Sequence, residues 1–164
     1  MTPDSLHDAI RRYAARLLSN SEAGKDIAQE VFLRLEQQRA VQEGGGITNP
    51  QAWAYKTARN LVIDHYRRVA KNTPGRTEQL TDDLPADATR FDPVILTEKK
   101  EILTMIQQKI NDLSPRHREV LRLKFQEGLK YTEIAEVLGE TVTTIAWLLH
   151  EAIAMLRKEL GDRS

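Results

Sequence analysis

NPQAWAYKTARNLVIDHYRRVAK, residues 49–71, opens on a helix-start signal and runs on without a breaker. Asn49 can cap the first turn, and Pro50 suits the first helical position, where its missing N–H is no loss. Ala54, Thr57, Ala58, Leu61 and His65 recur on one face, so the helix packs inward through small residues and Leu61. Lys56, Arg59, Asn60, Arg67 and Arg68 are left outside, and Trp53, Tyr55 and Tyr66 lie among them against a single acid, Asp64. Counting Lys71, five cations fall within residues 56–71, interleaved with aromatics. That pattern suits a surface that holds a nucleic-acid backbone and stacks exposed bases. Asn60 adds an amide that can both donate to and accept from a base edge.

Upstream, Thr2-Pro3 is a cap followed by proline, and Leu6, Ile10, Tyr13 and Leu17 step along one face of a first helix. Ser19-Asn20-Ser21 breaks it. A second helix from about Glu22 to Arg39 turns Ile27, Ala28, Val31, Phe32 and Leu35 inward. Asp26, Gln29, Glu30 and Leu33 fall on its other side. They read equally well as a solvated face or, with Leu33 among polar residues, as a partner surface. Gln42–Thr48, with Gly44, Gly45 and Gly46, is a loop. No phosphate-loop Lys-Ser/Thr follows it and no strand precedes it, so nucleotide binding is not indicated. It reads as a plain linker, or as backbone able to close around a flipped base.

Downstream, Asn72–Pro93 is punctuated by Pro74-Gly75, Pro85 and Pro93 and is rich in Thr, Asp and Glu. It reads as a flexible acidic linker of about 20 residues, reaching roughly 25 Å as a coil. Helical periodicity resumes at Ile95 and continues through Leu96, Leu103, Ile106, Ile110 and Leu113. Ser114-Pro115 starts a helix over 115–126 that buries Val120, Leu121 and Leu123, with Phe125 a further candidate for the core. Thr132 is placed to cap a short helix through Leu138. Gly139 turns the chain into a last helix, about 141–160, that buries Val142, Ile145, Leu149, Ala152 and Leu156. Short helix, glycine turn and longer helix make a helix-turn-helix pattern. No segment alternates like a strand. The expected fold is therefore all-α, with two small helical domains, 1–72 and 95–164, joined by a linker over 73–94.

Net charge is zero, but residues 1–75 carry +3 and residues 76–112 carry −3. There is no cysteine, and the four histidines, His7, His65, His117 and His150, are scattered singly. Disulfides and thiolate metal sites are thereby excluded, and no metal or other cofactor is expected. No run of 18 apolar residues is present and no leader is legible at the start, so no membrane insertion is expected and the cytoplasm is the expected compartment.

Three ordered blocks carry a resemblance to a known family. KDIAQEVFLRL (25–35), NPQAWAYKTARNLVIDHYRR (49–68) and LSPRHREVLRLKFQEGLKYTEIAEVLG (113–139) resemble a bacterial RNA polymerase sigma factor of the extracytoplasmic-function type. The resemblance implies that Asp26, Gln29, Glu30 and Leu33 bind core polymerase through its clamp helices. It places Asn60 at a base-reading position for the minus-ten element. It assigns the loop with Gly45 and Gly46 to a flipped base, and Lys56, Arg59, Arg67 and Arg68 to phosphates and the displaced strand. It implies a linker threading the polymerase cleft, core RNA polymerase and promoter DNA as partners, and an anti-sigma or other regulatory protein. Chemistry would stay in the polymerase, so the chain is expected not to be an enzyme.

The last helix departs from the family pattern. Between Glu140 and Leu156 it contains no Lys or Arg, and Ala146, Leu148 and Glu151 stand where basic residues are expected. A recognition helix without cations forfeits the main source of DNA affinity. Thr141, Thr143, Thr144 and His150 remain as candidate DNA contacts. Trp147 and Leu148, read as lying off the buried face, form a candidate protein patch, although Trp147 packed on the preceding helix is an equal reading. Two functions follow: a promoter-opening initiation factor, or a sigma-like interaction protein whose second domain binds a regulator or the first domain.

Overall fold

A computed structural model of the chain describes residues 3–41, 46–73, 83–91 and 100–161. The chain divides into two compact units, residues 1–88 with 136–139 and residues 89–135 with 140–164, each described by itself. Among the described residues every regular element is helical.

The first unit is built on three α-helices: α1 (Pro3–Leu18), α2 (Ser21–Val41) and α3 (Pro50–Lys71). Ser19 takes a left-handed conformation (φ 51°), which ends α1 abruptly. Asn20 then accepts from the Ala23 amide at 3.0 Å and caps α2. Gly24 lets the two helices meet closely, because a Cβ there would lie 2.7 Å from the Arg11 carbonyl oxygen and from Ala15 Cβ. The core is Ile10, Tyr13, Ala14 and Leu17 from α1, Ala28, Val31 and Leu35 from α2, and Ala52, Ala54, Tyr55, Ala58 and Val62 from α3. Tyr13 and Tyr55 meet edge to face at 5.1 Å, a favourable ring geometry.

The second unit contains α4 (Lys100–Asn111), α5 (Pro115–Leu121), residues 131–135 of α6 (Tyr131–Leu138) and α7 (Val142–Gly161). Ser114 caps α5 as expected, accepting from the His117 amide at 3.3 Å. The single helix expected over 115–126 changes pitch: Arg122–Gln126 form a π-turn, with the Glu127 amide bonded to the Arg122 carbonyl at 2.9 Å. The wider turn leaves Phe125 two-thirds exposed. Gly128 and Gly139 take positive φ, 72° and 67°, and supply the turns before α6 and α7. The start of α6 is fixed by Glu133, which accepts from the Lys130 amide at 2.9 Å, and not by Thr132.

The stretch expected to be flexible coil is partly built. Ala86–Thr89 form a 3₁₀ turn, and Leu84, Ala88 and Thr89 are buried. In the second unit, Asn111 brackets Phe91, accepting from its amide at 2.8 Å and donating to its carbonyl at 3.0 Å. Buried Arg118 donates to Thr89 Oγ1 at 3.0 Å. Buried Arg122 donates to the Arg90 carbonyl at 2.8 Å and lies over the Phe91 ring. Oxygens of Thr89, Arg90, Asn111 and Leu113 replace water around the two buried guanidiniums.

Candidate nucleic-acid interface

The N-terminus of α3 forms as its sequence directs. Asn49 accepts from the Ala52 amide at 3.0 Å and Pro50 occupies the first turn. From that fixed start, the 3.6-residue period sends Lys56, Asn60 and Arg68 to solvent and Ala54, Ala58, Leu61 and Val62 into the core. Arg67 is half-buried and pairs with Asp64 at 3.5 Å, one turn earlier.

Beside this face lies a groove of about 570 Å³, lined by Arg34, Gln37, Gln38 and Val41 of α2 and Trp53, Thr57 and Asn60 of α3. Its polar lining is three planar amides, a hydroxyl and a guanidinium, and its apolar lining is an indole and Val41. The size falls in the range of about 300–1,000 Å³ typical of small-ligand sites. Amide and guanidinium planes bond base edges, and an indole offers a stacking surface. Asn60 joins the groove to the row of cations. Arg34, Gln37, Gln38 and Val41 escaped the sequence reading, which stopped at the polar face of α2 one turn upstream. Their spacing, 34, 37, 38 and 41, is itself a helical stripe and is the signal that could have found them.

Three sequence expectations for α3 are corrected. Arg59 is buried, at 6% exposure, and its guanidinium pairs with Asp83 at 3.6 Å. It sits on the shoulder of the helix beside Ile63, not among the exposed cations. Tyr55 is fully buried against Tyr13. Tyr66 turns away to donate its phenol proton to the Leu17 carbonyl at 2.5 Å. Burial, with the negative charge of Asp87 as a smaller cause, pushes the Tyr66 phenol above its ordinary value of 10.0. Trp53 is the aromatic that lines the groove. Gly45 lies outside the described residues, and Gly46 is an exposed bend.

On α2, Asp26, Gln29 and Leu33 are exposed and Glu30 is half-exposed. Their spacing puts all four on one arc of the helix. Glu30 accepts from Arg34 Nε at 2.9 Å, which links that arc to the groove.

The helix-turn-helix is present as α6, the Gly139 turn and α7. Thr141 is used as the cap of α7, accepting from the Thr144 amide at 3.1 Å and donating to Thr144 Oγ1 at 2.9 Å. Thr143 and His150 are exposed. Trp147 is exposed at 58% and does not pack into the domain, whereas Leu148 is buried at 5%. Leu148 is therefore core and not part of a surface patch, because the buried arc of α7 runs through Ile145, Leu148, Leu149 and Ala152. Val142, expected inside, is exposed at the helix start. Glu151 is held by His117 Nε2 at 2.9 Å.

Among the described residues there is no cluster of acidic or histidine side chains able to hold a metal, and no helix is long and apolar enough to cross a membrane.

Comparison with known proteins gives a consistent result. The family model of sigma-70 region 2 matches residues 4–72, and that of sigma-70 region 4 matches residues 103–156. The extracytoplasmic-function RNA polymerase sigma factor SigW of Bacillus subtilis is 32% identical, over 97% of this chain and 87% of that protein. The corresponding factor SigL of Mycobacterium tuberculosis is 31% identical, over 92% and 82%. A solved structure of the sigma factor RpoE in complex with the anti-sigma factor NepR from Bartonella quintana matches with a TM-score of 0.61. It is 20% identical over 95% of this chain and 92% of that one, a likeness of fold.

Proposed function

The chain belongs to the extracytoplasmic-function sigma factors of RNA polymerase, and from that membership we propose a division of labour among its helices. The protein is a transcription initiation factor that binds core RNA polymerase and directs it to promoters. The exposed arc of α2, Asp26, Gln29, Glu30 and Leu33, docks on the clamp helices of the largest polymerase subunit. The α3 face and its groove take the non-template strand of the minus-ten element. Lys56, Arg67 and Arg68 hold phosphates, and Asn60, with Trp53, Gln37, Gln38 and Arg34 in the groove, meets an unstacked base. The bond-making chemistry belongs to the polymerase and the chain is not itself an enzyme. It works in the cytoplasm and is restrained by an anti-sigma-type protein that covers its polymerase-binding arc.

The observation that carries this reading is the groove: amides, a guanidinium and an indole converge directly beside a row of exposed cations. Unstacking a base costs a few kcal/mol, and a site that captures it offsets part of that cost. Stacking contributes about 1–3 kcal/mol per base. The neutral outer face of α7, with Thr143, Trp147 and His150 exposed and no cation between Glu140 and Leu156, supports a second domain that adds little duplex affinity.

Run-off transcription with purified core polymerase over a pool of genomic promoters tests the reading. Transcripts that depend on the added chain are expected. Tight core binding without any initiation on the pool would overturn it and would favour a sigma-like interaction protein.

A further inference from the structure

The acidic residues of the first unit that follow α3 in sequence do not all stand apart from it. Asp83 lies 3.6 Å from Arg59, and the arginine is buried to 6% exposure although its pairing partner stands largely in solvent. Leu84, in the same compact unit, is buried between exposed neighbours, so the segment is seated and not merely passing. Within the 3₁₀ turn that follows, the negative charge of Asp87 helps to raise the Tyr66 phenol, after burial. Arg59 and Tyr66 lie one above the other on the same shoulder of α3, next to the cation-bearing face of Lys56, Asn60 and Arg67. Two carboxylates thus follow the shoulder of the helix proposed above to hold a DNA strand.

We propose that the segment Asp83–Ala88 is an internal competitor of nucleic acid on α3, with the Asp83 carboxylate taking the place of a backbone phosphate at Arg59 until a strand displaces it. The inference rests on the reading of α3 as a DNA-binding helix. A partly exposed pair of this kind is worth little by itself. The segment therefore throttles non-specific binding by the free chain and does not abolish it.

The test uses the full chain, with a fluorescein-labelled oligothymidylate as probe and fluorescence anisotropy at fixed salt. Asp83→Asn is expected to tighten binding about two- to fivefold. Asp112→Asn, the same charge change at an exposed site in the other unit, gives the baseline for net charge alone. Hydrogen exchange across residues 83–89 of the unaltered protein supplies an independent reading: saturating oligonucleotide is expected to speed it. A gain for Asp83→Asn no larger than for Asp112→Asn overturns the inference, as does exchange at 83–89 that DNA leaves unchanged. A probe that binds none of the proteins overturns the reading of α3 and this inference with it.

Discussion

His117 and Glu151 join α5 to α7 through a single hydrogen bond of 2.9 Å between Nε2 and Oε1. The carboxylate only accepts, so Nε2 carries the proton, and Ser114 Oγ stands 2.5 Å from Nδ1 on the other side of the ring. The cap of α5, the imidazole and the carboxylate of α7 form one continuous chain. The acid that stands where a DNA-binding helix would carry a cation is therefore a structural staple.

Replacing Glu151 by Arg should weaken the second domain. It removes the acceptor and sets a cation against a nearly buried imidazole. A loss of about 1–3 kcal/mol is expected, the usual cost of orphaning a buried polar partner. Calorimetric melting of Glu151→Arg against Glu151→Gln checks it, with Gln retaining an acceptor and losing less. Equal melting of both variants and the unaltered chain would show that the staple contributes nothing.

Trp147 and Leu148 are neighbours in sequence with opposite fates. Trp147→Ala should change stability by no more than about 0.5 kcal/mol, because its side chain is mostly in solvent. Leu148→Ala should cost about 2–5 kcal/mol through lost burial and a cavity. Denaturant titration of both separates them.

Gly24 sets the approach of α1 and α2. A methyl group there meets the Arg11 carbonyl oxygen and Ala15 Cβ at 2.7 Å, and backbone cannot step aside as a long side chain can. Gly24→Ala should destabilise the first domain by about 1–3 kcal/mol even though alanine favours a helix. A gain in melting temperature would mean that the helices separate without cost.

Tyr66 gives the first domain an alkaline limit. Its folded pKa lies above the ordinary tyrosine value of 10.0, first through burial and then through Asp87. The neutral phenol is the form that the fold prefers. Its stabilisation is complete below about pH 10 and is lost as pH rises through the folded value, where the hydrogen bond to the Leu17 carbonyl also loses its proton. Tyr66→Phe should be less stable at neutral pH and should lose less stability between neutral and strongly alkaline pH. Parallel curves for the two proteins would contradict the assignment.

Much of the fold is legible in the sequence because caps and period agree. Asn49-Pro50, Ser114-Pro115 and the Gly139 turn fall where the structure uses them, and the inward face of α1 follows the helical spacing, as do Ala54, Ala58 and Leu61 of α3, whereas Thr57, read as inward, lines the groove. What spacing does not carry is the third dimension. The wheel puts Arg59 near the outer face, but tertiary packing buries it and sets Asp83, distant in sequence, 3.6 Å away. Leu148 and Glu151 look like features of a surface because nothing local shows α5 beside them. The groove joins residues from two helices, and only their packing places Gln37 and Gln38 within reach of Asn60.

Permanganate footprinting of the minus-ten region with holoenzyme carrying Asn60→Ala, measured beside its affinity for core polymerase, decides whether Asn60 and its groove read an unpaired base. Core binding is expected to be unchanged and promoter opening reduced by about tenfold, the equivalent of one good base contact of about 1–3 kcal/mol. Equal loss of opening and of core binding, or opening that is unaffected, would contradict that role.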